Sequence, residues 1–69
     1  MKQIIPRRWL IAYRERSGLT SLQIAQAAEI STQALWLIET GQRDPGLRVA
    51  CALADVLGFS EREFLAKTA

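Results

Sequence analysis

Signals that start and stop helices recur along this chain at intervals of roughly ten to twenty residues, which leaves room only for short elements. Gly18, Gly41 and Gly58 each follow a stretch with helical apolar spacing, the place where glycine closes a helix in a left-handed turn. Start signals answer these stops. Thr20-Ser21-Leu22-Gln23 reads as a capping box, a hydroxyl at the cap and Gln three residues on, each serving the other's unpaired N–H. Ser60-Glu61-Arg62-Glu63 repeats the pattern, Ser31 offers a single hydroxyl cap, and Pro6 stands where a helix can begin.

The intervening residues suit helices throughout. Residues 7–17 form the first, with Leu10, Tyr13 and Arg14 on one side. The second runs from the Thr20 cap to about Ala28 and buries Ile24, Ala25 and Ala28. After the short connection Glu29-Ile30, the third covers 31–40. A loop, 42–46, has Asp44-Pro45 as its turn signal. The fourth helix runs from Pro45 or Gly46 to Leu57, with Leu47, Ala50, Leu53, Ala54 and Leu57 on one face, and a short fifth ends near Ala66. Residues 2–5 carry the one weak strand pattern. The expected fold is all-α, five short helices around one core.

Sixty-nine residues suffice for one domain, taken as 1–69 with residues 1–6 as an N-terminal arm. The chain is 49% hydrophobic and 23% charged, the balance of a folded domain, and its net charge of +2 is a weak pointer to an acidic partner. One cysteine excludes an internal disulfide, and the absence of histidine excludes a Cys/His zinc site and His-based catalysis. Asp, Glu and Lys are not spaced as an acid–base pair, so an enzyme is not expected, nor any cofactor or metal. No apolar run nears the roughly eighteen residues of a membrane span, and the N-terminus lacks a signal peptide's apolar region, which points to the cytoplasm.

Two helices joined by about three residues, the second short and capped, make a helix-turn-helix pattern. Arg14-x-x-x-Gly18-Leu19-Thr20, Ile24-Ala25, Ile30-Ser31, Leu35-x-x-Ile38-Glu39-x-Gly41 and Pro45-x-Leu47 stand in register over about Leu10 to Leu65. In this the chain resembles the Cro/CI-type (XRE) family of phage and bacterial repressors. The resemblance implies a lambda-repressor-like DNA-binding domain with its helix-turn-helix at about 21–40. It also implies a dimeric transcriptional repressor that presents residues 31–40 to the major groove of double-stranded DNA, and an ion pair between Arg14 and Glu39. Ala25 fits the helix crossing, where a larger side chain would hold the two helices apart. The chain departs from the family at Glu29, where the turn usually has Gly, and at Ser21, where Gln is common. The outer face of the third helix also carries no positive charge.

That outer face carries Gln33, Trp36, Leu37 and Thr40, with Thr32 on its flank, opposite Ala34, Leu35 and Ile38. In one reading Gln33 pairs with an adenine edge, Thr32 meets a base or phosphate, and Trp36 and Leu37 pack on thymine methyl groups. Phosphate contacts then come from Thr20, Ser21, the Ser31 end of the third helix and Arg43, with Arg7 and Arg8 as weaker candidates. In the alternative, Trp36 and Leu37 form an apolar patch for a protein partner or a second copy. In a third, Trp36 folds back on Ile4 and Ile5. Phe59, Phe64 and Leu65 are expected partly in the core and partly at a homodimer interface, which the resemblance implies for this region. Trp9 and Tyr13 read as core or core-edge aromatics, and Cys51 as a buried structural thiol.

Overall fold

The computed structural model describes residues 4–66 and places five α-helices among them: α1 Arg8–Ser17, α2 Ser21–Ala27, α3 Thr32–Glu39, α4 Leu47–Leu57 and α5 Glu63–Ala66. Residues 4–7 form no regular element, so the strand pattern fails there; Lys2 and Gln3 lie outside the described residues.

The local signals act as their chemistry requires. Thr20 Oγ1 accepts the Gln23 N–H at 3.1 Å while Gln23 Oε1 accepts the Thr20 N–H at 2.9 Å, a complete capping box. Ser31 Oγ accepts the Ala34 N–H at 3.0 Å. The box expected at Ser60 is altered. Its Oγ accepts from the Arg62 N–H at 3.3 Å, the Glu63 carboxylate accepts the Tyr13 hydroxyl, and α5 opens at Glu63.

Helix ends follow one design. At the end of α2 the Ile30 N–H donates to Ala25 O at 2.9 Å and the Glu29 N–H to Gln26 O at 3.2 Å. At the end of α3 the Gln42 N–H donates to Leu37 O at 2.9 Å and the Gly41 N–H to Ile38 O at 3.2 Å. Both are Schellman motifs, which need one residue in the left-handed region. Gly41 supplies it at φ 80°, and Glu29 supplies it at φ 58°, the one non-glycine with positive φ among the described residues. The turn geometry is thus kept although its usual glycine is absent.

Helix α2 packs against α3 and α4, and α1 against the same two. Leu10, Ile24, Leu35, Ile38 and Leu53 fill the centre with essentially no exposure, each contributing about 1.5–3 kcal/mol of burial. Ala25, Ala28, Ala50 and Ala54 let the helix axes approach. Trp9, Tyr13, Phe59 and Phe64 pack at the α1–α5 side, Trp9 meeting Phe64 edge-on at 5.0 Å and Phe59 at 5.4 Å. Phe64 is buried within its own chain, so it is a core residue and has little surface left for a dimer contact. Two further expectations change. Cys51 is half-buried rather than buried. Leu47, placed on the inner face by its spacing, is 76% exposed, because it lies in the first turn of α4 at the rim of a cleft lined also by Pro45, Phe64 and Leu65. No helix among the described residues is long and apolar enough to cross a membrane.

Candidate nucleic-acid interface

The inner face of α3 fixes its outer face. Leu35, Ile38 and Glu39 are buried and Ala34 half-buried, so rotation of the helix about its own axis is blocked. Thr32, Gln33 and Trp36 consequently project to solvent, with Trp36 55% exposed. The Gln33 amide has no hydrogen-bond partner among the described residues, which leaves both its donor and its acceptor available. Leu37 is half-buried, and the Thr40 hydroxyl turns back to donate to Trp36 O at 2.9 Å. Ile4 and Ile5, the described residues onto which Trp36 could fold back, are themselves 60% and 61% exposed.

Other residues offer groups with chemistry suited to phosphate. Thr20 and Ser31 are exposed caps whose oxygens accept helix N–H groups while their hydroxyl protons stay free to donate. Ser21, half-buried, begins α2 beside Thr20. Arg43 is exposed in the loop after α3. Its backbone is pinned at both ends: the N–H donates to Leu37 O at 3.1 Å, and the carbonyl accepts from Arg7 Nη1 at 3.0 Å.

Arg7 corrects an expectation. Its place near a helix start makes it a weak phosphate candidate, yet its side chain is only 6% exposed. Its guanidinium donates to Ile38 O at 2.6 Å, to Arg43 O and to the Asp44 carboxylate, and lies 5.6 Å from the centre of the Phe64 ring. Its backbone N–H donates to Glu39 O at 2.8 Å. One local sign was legible. Arg7 occupies the cap position of α1, where a short hydroxyl or carboxylate residue would normally stand, and makes no capping bond there. Arg8 remains exposed.

Arg14 and Glu39 meet across α1 and α3, Nε to Oε2 at 2.7 Å, with side chains 26% and 8% exposed. Of the residues assigned to pairing of two copies, Phe59 is half-buried in the aromatic cluster, Phe64 buried, and Leu65 81% exposed.

Comparison with known proteins agrees with this architecture. Residues 8–66 match a family model described as a helix-turn-helix domain. The chain is 36% identical over 53 residues to an uncharacterized HTH-type transcriptional regulator, YqaF, of Bacillus subtilis (strain 168), covering 77% of this chain and 70% of that protein. No solved structure gives a significant match. With caps, turns and the exposed α3 face arranged as described, this chain belongs to the helix-turn-helix domain family.

Proposed function

We propose that this domain binds duplex DNA as a sequence-specific transcriptional regulator, acting as a repressor and as a pair of copies. The observation that carries the reading is α3 itself, locked by its buried face so that Thr32, Gln33 and Trp36 are presented to solvent. Gln33 reads an adenine edge, Thr32 and Leu37 flank it, and Trp36 packs on thymine methyls. Thr20, Ser21, Ser31 and Arg43 hold phosphates. The role is binding alone, without chemistry or cofactor. Similarity to a protein described as an HTH-type transcriptional regulator supports it.

Pairing of copies is supported by the cleft between the start of α4 and α5, where Leu47 and Leu65 are exposed beside Glu61 and Arg62. Two copies meeting through this cleft would cover the exposed leucines of both. Paired copies also engage two half-sites about one helical turn apart, which compensates for a reading helix with no positive charge.

Selection of bound duplexes from a random pool, followed by anisotropy titration, tests the reading. The expected result is an A·T-leaning half-site whose preference at one position relaxes in Gln33→Ala, by about 1–3 kcal/mol of discrimination. Absence of sequence preference would refute it. The second reading, a protein-binding surface built on Trp36 and Leu37, is favoured by the 55% exposure of Trp36 on a helix with no basic residue. It requires that Trp36→Ala abolish partner binding while DNA affinity stays unchanged.

A further inference from the structure

We infer that Arg7 is a positioning residue for DNA binding, which sets the Arg43 phosphate contact at a fixed place relative to the reading helix. The inference rests on the DNA-binding reading above. A guanidinium is a rigid fork, and here the fork spans the junction between α3 and the loop that follows it. Nη1 holds the carbonyl of Ile38 at 2.6 Å and that of Arg43 at 3.0 Å, and Nη2 holds the Asp44 carboxylate. Ile38 belongs to the last turn of α3. One nitrogen therefore ties the end of the reading helix to the residue that carries the loop's exposed cation.

The restraint on Arg43 comes from both sides. Its N–H is held by Leu37 O, on the reading helix, and its carbonyl by Arg7. Releasing the carbonyl leaves the Arg43 backbone held only through its N–H to Leu37 O, on the α3 side, and frees the chain beyond it. A freed Arg43 must be ordered before it can meet a phosphate, and where that ordering outweighs what one phosphate contact returns, the contact is not made. Burial of the fork adds to the argument. With the Arg7 side chain only 6% exposed, its bonds to the two carbonyls are largely shielded from competing water.

Arg7 touches no phosphate in this scheme, so its effect is separable from a direct charge contact. Arg7→Lys keeps the charge and loses the fork. The test is anisotropy titration of the full chain on a mixed-sequence duplex of about two helical turns, over a series of salt concentrations, for wild type, Arg43→Ala, Arg7→Lys and the double variant. Arg43→Ala is expected to lower the slope of log affinity against log salt by about 0.9, one phosphate contact. Arg7→Lys is expected to lower it by a similar amount, and the double variant by no more than either.

An unchanged slope in Arg7→Lys overturns the inference, as does a slope loss that adds in the double variant. A purely structural role would weaken binding alike with and without Arg43 and leave the slope where it was. Wild type that shows no salt-dependent binding refutes the DNA reading and the inference together, and the wild-type titration alone distinguishes that outcome. Because Arg7→Lys alters a buried site, Asp44→Ala is the second arm. The Asp44 side chain is 83% exposed, so its removal spares the core. Part of the same slope loss, with faster amide exchange at Arg43, is expected; no change in either overturns the inference.

Discussion

The Arg14 guanidinium donates through Nε to Glu39 Oε2 at 2.7 Å, joining α1 to the last residue of α3. Glu39 is the more buried partner and also gives its backbone carbonyl to the Arg7 N–H. Glu39→Gln strands the arginine beside a neutral amide. The expected loss is about 2–4 kcal/mol, below the full penalty for a wholly buried pair because Arg14 keeps water on one side. Urea denaturation measures it. Arg14→Met combined with Glu39→Leu should recover most of the loss, since a packed apolar pair strands no charge.

Glu29 holds a left-handed backbone at φ 58° to complete the turn between α2 and α3. Its side chain is exposed, so the backbone term dominates any substitution. Glu29→Gly should raise stability by up to about 1 kcal/mol, the relief of strain less the added freedom of the unfolded chain. In a domain of this size that is a rise of roughly 4–8 °C per kcal/mol in thermal midpoint. A fall in midpoint would mean that the turn is not strained.

Gly18 and Gly41 have nearly the same positive φ, 74° and 80°, yet differ in surroundings. A Cβ at Gly18 meets nothing within 4 Å, whereas one at Gly41 would lie 2.1 Å from the backbone oxygen of Ile5. Gly18→Ala should cost only the backbone term, about 1–2 kcal/mol. Gly41→Ala should cost distinctly more and displace the N-terminal arm from the end of α3. Paired denaturation curves give the comparison, and equal losses would show that the arm yields freely.

Trp36 is the largest exposed side chain of α3. Trp36→Ala should leave stability within about 0.5 kcal/mol, as for a surface site away from packing. If Trp36 packs on thymine methyls, affinity for a selected duplex falls while affinity for mixed-sequence duplex holds. Unchanged affinity for both, with self-association or partner capture lost, would move the function of α3 to protein binding.

Much of this architecture is written in local chemistry. Thr20, Gln23 and Ser31 cap helices because short side-chain oxygens reach N–H groups within three residues, a relation that sequence spacing alone defines. The apolar period placed Leu10, Ile24, Leu35, Ile38 and Leu53 inward, and each is buried. The period failed for Leu47, because burial also needs a neighbour to cover that turn, and α4 begins beyond its packed partners. At the Ser60 end, Glu63 accepts from Tyr13, fifty residues earlier, a contact that local spacing cannot reveal.

Arg7 marks the limit most clearly. As sequence it is an arginine at a helix start, where a solvated charge is the ordinary outcome. Its actual partners are backbone carbonyls and a carboxylate more than thirty residues away. Carbonyls are identical at every position, so nothing in the sequence names the ones a guanidinium will meet. The sequence by itself determined five short helices, their caps and turns, and the inner face of α3. The tertiary structure decided which arginine is buried, how the loop bearing Arg43 is anchored, and that Trp36 stands open to solvent, because those outcomes depend on elements brought together from opposite ends of the chain.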